Sequence, residues 1–89
     1  MDNLFTRHAD EMFAIDTAWH ELNTAEDNLR IAIEYVRNAF DVAEKVPSDF
    51  NMGVFKNTVA SLNEAHIVFD DAVKKARQLL TDLHESWNA

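Results

Sequence analysis

Apolar residues recur at alternating steps of three and four along almost the whole chain, in one run before its single proline, Pro47, and one after its single glycine, Gly53. In the first run Phe5, His8, Met12, Ile15, Trp19, Leu22, Glu26, Leu29, Ile33, Val36, Phe40 and Ala43 hold the spacing, with only His8 and Glu26 polar. Phe55, Val59, Leu62, His66, Phe69, Val73, Ala76, Leu80, Leu83 and Trp87 repeat it in the second. This period lines one stripe of an α-helix and calls for a facing helix to cover it. The pattern predicts an all-α fold, an antiparallel helical hairpin in one domain, with a helix over about 3–45, a turn at 46–51 and a helix over about 52–87.

The residues at the expected ends fit that reading. Asp2 or Asn3 can accept from the first free amides of the first helix. Pro47 disfavours helical geometry at Val46 and has no amide to donate, so the first helix stops there. Ser48 or Asn51 then caps the second helix, and Gly53 falls in or just before its first turn. Thr24 to Asp27 reads like a capping sequence, so a break near Asn23 and a three-helix bundle is the alternative. The apolar register crosses Asn23 without a phase shift and neither Gly nor Pro stands there, which favours one continuous helix.

Folding the chain back at the turn sets Phe40 against Val59, Ile33 against His66, Leu29 against Phe69, Leu22 against Ala76, Trp19 against Leu80 and Met12 against Trp87. One flank then places Glu44 by Lys56, Arg37 by Asn63, Arg30 by Asp70, Asn23 by Arg77 and Asp16 by His84, with no like charges together. On the other flank Ala18, Ala25, Ala32 and Ala39 face Leu79, Ala72, Ala65 and Thr58, and beside them stand Ile31, Tyr35, Val42 and Val68. That flank is expected to lie outside the hairpin as a second apolar face. Small side chains let another helical layer approach closely, and a lone hairpin of this size has few side chains to bury. The expectation is therefore a homodimer, two hairpins pairing as a four-helix bundle through the alanine flanks, or one hairpin docking there on a different protein.

Charge changes the picture of the partner. The chain carries −8 overall, which argues against direct nucleic-acid binding or attraction to anionic lipid, since both need basic stripes. Residues 1–27 and 80–89 hold nine acids against Arg7 alone, while residues 28–79 balance seven acids with seven bases. A hairpin would gather Asp10, Glu11, Asp16, Glu21, Asp27, Asp82 and Glu85 at its open end, where a basic protein partner could dock. There is no cysteine, and no basic-then-apolar leader or bilayer-length apolar run is found, so the expected location is cytoplasmic with signal-independent export left open.

Candidate chemistry is sparse. A di-iron bundle needs Glu-x-x-His pairs, and the residues three before His8, His20, His66 and His84 are Phe5, Thr17, Asn63 and Thr81. Asp16 and His20 share a helix face, which alone is an ordinary solvated pairing. His66 reads as an amphipathic core side chain with its ring edge bonded at the seam, and Glu26, near Lys74 and Arg77, as an acid that fixes register. Trp19 and Trp87 read as core, Phe13 as an outlier near the open end, and Tyr35 as an interface anchor. No nucleophile, base and carboxylate combine in a recognisable pattern and no Gly-rich loop could hold phosphate. No catalytic residue, metal or cofactor is expected.

In outline the chain resembles the small secreted Trp-x-Gly helical hairpins, though its turn reads Phe50-Asn51-Met52-Gly53, and Pro47-Ser48-Asp49 is similar to the turn of type III secretion needle subunits. Both likenesses are of architecture and imply no activity. The functional expectation is a non-enzymatic protein-interaction module of adaptor, chaperone or inhibitor type. The alternative is an acidic decoy for the basic groove of a nucleic-acid-binding enzyme, of the kind phages direct against host defences.

Overall fold

A computed structural model describes residues 4–88 as two α-helices, α1 (Leu4–Lys45) and α2 (Asp49–Asn88), packed antiparallel as a hairpin. The expected cap at Asp2 or Asn3 lies outside the described residues, as do the side chains of Phe5 and His8. At about 1.5 Å per residue a helix the length of α1 spans roughly 63 Å, and the rod measures 68 Å by 16 Å by 14 Å. α1 runs through Asn23 without a break, so Thr24 to Asp27 start no helix and the three-helix alternative is set aside.

The turn is shorter than expected, residues 46–48 rather than 46–51. Ser48 is the reason. Its Oγ accepts from the Asn51 amide at 3.1 Å and its carbonyl from the Met52 amide at 2.9 Å, so Asp49 and Phe50 are already helical. Asp49 places its carboxylate in the first turn, where the helix dipole favours a negative charge. Asn51, the other candidate cap, works on the opposite side of the turn: its side-chain amide donates to the Val46 carbonyl at 2.6 Å and closes the end of α1. Gly53 has ordinary helical geometry, with open space where a Cβ would stand.

The two helices meet on a different line from the expected one. The most buried side chains are Ala18, Ala25, Ala32, Ala39 and Ala43, at 2, 4, 7, 9 and 6% exposure. Between them Ile15, Leu22, Leu29 and Val36 are half-buried, which makes the α1 side of the seam an unbroken three-four run from Ile15 to Ala43. On α2 the half-buried run is Phe55, Thr58, Leu62, Ala65, Phe69, Ala72, Ala76, Leu79, Leu83 and Ser86. The expected stripe shares every second residue with this seam. Its other members stand outside: Met12, Trp19, Glu26, Ile33 and Phe40 on α1, with His66, Leu80 and Trp87 on α2, are all exposed, while Val59 and Val73 are half-buried. Both helices are thus rolled toward their alanine side by roughly 50°, about half of one residue's turn.

Side-chain size explains the roll. Two helices can approach closely only where the facing residues are small, and close approach gains dispersion contacts along the whole length. A Trp or Phe cannot enter such a seam and stands over it instead. The register shifts with it. The Phe40 ring meets Phe55, with centroids 5.8 Å apart and planes at 57°, rather than Val59.

Candidate interaction surface

Rolling the helices together divides the hairpin's surface into two unlike faces. The first carries the large residues that the seam leaves out, in two apolar stretches separated at mid-rod by the exposed Glu26 and His66. At the open end Met12, Leu80, Leu83, His84 and Trp87 surround a hollow of about 280 Å³. At the turn end Phe40, Ala43, Glu44, Met52 and Phe55 surround another of about 260 Å³. Between these hollows lie Trp19 and Ile33 on α1, one heptad from Met12 and Phe40. Exposure along this face is 51% at Met12, 58% at Trp19, 55% at Phe40, 55% at Leu80 and 63% at Trp87.

The second face lies over the alanines, and its two halves differ. Toward the turn, Tyr35, Val42, Phe50 and Val54 stand around a groove of about 360 Å³ above Ala39 and Thr58. Toward the open end the groove, about 570 Å³, is walled by Thr17, His20, Glu21, Asn28, Asp71 and Lys75. Lys75 donates to Glu21 there at 2.9 Å, bridging the helices over the seam.

Of the expected interface residues, Ala18, Ala25, Ala32 and Ala39 are buried in the hairpin's own seam, and Ala65, Ala72 and Leu79 are half-buried on its other side. They hold α1 to α2 and offer little area to an outside surface, which corrects the expectation of an exterior alanine flank. Ile31, Tyr35, Val42 and Val68 are exposed. Trp19, Ile33, Phe40, Leu80 and Trp87 are the surface residues that the sequence reading assigned to the core. The signal that could have found them is the alanine every seventh position in the neighbouring phase of α1.

Charged groups make mainly local pairs. Arg30, expected beside Asp70, reaches Glu26 at 3.4 Å and Asp27 at 3.2 Å on its own helix. Glu26 is therefore an exposed partner of Arg30 rather than a core-edge residue near Lys74 and Arg77. His20 lies 3.5 Å from Asp16, Lys45 3.0 Å from Asp41, and Lys74 3.0 Å from Asp70. The hydrogen bond and charge of Asp70 hold the Lys74 ammonium above its ordinary pKa. Toward the open end Asp10, Asp16, Glu21, Asp82 and Glu85 are exposed and Glu11 is half-buried, whereas Asp27, expected with them, stands exposed at mid-rod beside Arg30; Gln78 donates to Asp82 at 2.8 Å.

Among the described residues no three His, Asp or Glu side chains gather as a metal site, and no helix is long and apolar enough to cross a membrane. Comparison with family models, with curated proteins and with solved structures finds no match to this chain.

Proposed function

We propose that this chain is a non-catalytic helical interaction module that self-associates, and that the face of large side chains is its contact surface. One observation carries the reading. Met12, Trp19, Ile33, Phe40, Met52, Leu80 and Trp87 are 37 to 63% exposed along a single face. With full areas of ~150–250 Å² for such side chains, they offer roughly 800 Å² in total, in two apolar stretches on either side of Glu26 and His66, and exposed apolar surface of this kind marks interaction sites. In this proposal the alanine line builds the protomer and the large line builds the assembly, a four-helix bundle of two hairpins.

Sedimentation equilibrium tests it. The wild-type chain is expected to be dimeric at micromolar concentration. Ile33→Glu and Leu80→Glu are expected to give monomers that keep their helical circular dichroism, while Asn38→Glu stays dimeric. A wild-type monomer would refute the self-association.

A second reading, the acidic decoy, is supported by the exposed carboxylates at the open end. Charge of that kind gives fast association that weakens steeply with salt. Capture of a basic partner at low salt, released at high salt and unaffected by Ile33→Glu, would favour it over the apolar surface.

A further inference from the structure

We infer that the second copy packs head to tail on the large-residue face, about a two-fold axis that crosses the rod at Glu26 and Asp70. This rests on the self-association proposed above and fixes its geometry.

The heights of residues in the hairpin come from its own contacts. Phe40 meets Phe55 and Glu21 meets Lys75. Each step toward the turn on α1 is a step back toward it on α2, so both contacts place Glu26 level with Phe69 and Asp70. The face reads the same from either end about that level. Among the described side chains the line on α1 is Met12, Trp19, Glu26, Ile33, Phe40, two large residues on each side of one acid. On α2 it is Met52, Val59, His66, Val73, Leu80, Trp87, whose midpoint falls between His66 and Val73, again at Phe69 and Asp70. A two-fold axis across the rod requires both lines to centre at one height, and the described positions of the two helices do so.

Reversing one copy onto the other sets Met12 on the second copy's Phe40, Trp19 on its Ile33, Val59 on its Leu80 and Met52 on its Trp87. Large residues meet large residues along the α1 pair, and on α2 Met52 and Leu80 meet Trp87 and the half-buried Val59, with His66 against the second copy's Val73 near the axis. The two Glu26 carboxylates lie at the axis, each beside its own Arg30 at 3.4 Å, a polar pair of the kind that fixes register between helices. The roughly 800 Å² offered by each copy matches the share that one partner contributes to a standard stable interface.

Charge selects between the two possible directions. With open ends together, the two groups of unbalanced acids would lie side by side. Head to tail, Asp10, Glu11, Asp16, Asp82 and Glu85 of the two copies lie toward opposite ends of a 68 Å rod, several times the screening length of about 8 Å at physiological salt, and only Glu26 and Asp27 come near their counterparts. Asp16 then falls beside the second copy's Arg37.

Because the chain has no cysteine, single replacements can report the arrangement. The full chain is made as Glu26→Cys, Met12→Cys, Phe40→Cys and, for background, Asn38→Cys. Each is oxidised at micromolar concentration and run on a non-reducing gel, with sedimentation of the reduced proteins alongside. Glu26→Cys at the axis brings two thiols within disulfide reach and is expected to yield disulfide dimer as its main species. Met12→Cys alone is expected to stay at the Asn38→Cys background, its two copies about 42 Å apart. Mixed with Phe40→Cys it is expected to form the mixed dimer. A sedimenting dimer in which Met12→Cys links to itself, or Glu26→Cys does not, overturns the head-to-tail arrangement and leaves the self-association standing. A monomer throughout overturns both.

Discussion

The alanine line and the line of large residues run side by side on α1, one position apart, and the hairpin treats them oppositely. Ala18, Ala25, Ala32 and Ala39 are 2 to 9% exposed, whereas Trp19, Ile33 and Phe40 are 37 to 58% exposed. Hydrophobicity alone ranks them the other way, since burying a Trp or Phe removes far more apolar area from water than burying an Ala. A two-helix molecule has one seam and no third layer to cover what stands over it. The seam goes to the residues that let the backbones come close, and the larger side chains keep the area that a further layer could bury. Small residues set how this pair of helices packs, and large residues are left with most of its exposed apolar area.

Adjacent residues make the sharpest test. Ala32→Glu forces a longer, charged side chain into the seam, where overpacking and an unpaired buried charge combine. It is expected to cost on the order of 4 kcal/mol or more, seen as loss of cooperative urea unfolding and of helical signal. Ile33→Glu, one residue on, is expected to leave the hairpin folded and abolish dimerisation. If Ala32→Glu instead gives a well-folded monomer, the alanine line lies outside the protomer and the two roles are exchanged.

Trp19→Ala measures the large line without adding charge. Aromatic anchors near the centre of an interface carry about 2 kcal/mol or more each and the dimer holds two copies of Trp19, so it is expected to weaken by roughly 1,000-fold at unchanged helicity. A change in helical signal rather than in sedimentation would show that Trp19 supports the hairpin itself.

A smaller effect is expected where the alanine line runs out. Ser86 occupies the seam one heptad beyond Leu79, and its hydroxyl is buried with no hydrogen-bond partner among the described residues. An unsatisfied buried hydroxyl costs about 1–3 kcal/mol, part of which is recovered when it is removed. Ser86→Ala is expected to stabilise the protein by about 1 kcal/mol in urea unfolding. Destabilisation would mean that the hydroxyl has a role in the seam.

These tests also mark what the sequence could convey. The hairpin was legible because the three-four period persists on both sides of Pro47 and because nothing at Asn23 interrupts it. The turn was read three residues too long, since Ser48 and Asn51 are both good caps and only their geometry separates them. The phase of the seam was ambiguous for a structural reason. Ile15, Leu22, Leu29, Val36 and Ala43 belong to both candidate stripes, as do Phe55, Leu62, Phe69, Ala76 and Leu83. A choice by hydrophobicity adds Trp19, Ile33 and Phe40, whereas close approach adds Ala18, Ala32 and Ala39. The expected surface followed that choice, and its alanines fell on positions that the hairpin's own seam buries.

Charge offers a rival explanation for the roll, because the Lys75 to Glu21 bond closes the alanine side at 2.9 Å. Its magnitude argues against that. Both groups are about half exposed, and pairs in such positions contribute ~0.2–1 kcal/mol and weaken with salt. Four alanines spaced along α1 act over nearly the whole seam. Lys75→Gln is therefore expected to lower stability by less than about 1 kcal/mol, with the difference from wild type vanishing in molar salt. The spacing between spin labels on Thr24 and Asp71, across that groove, should remain the same. If the labels move apart when the lysine is neutralised, the ion pair holds the helices in their rolled position, and side-chain size does not account for the unlike faces.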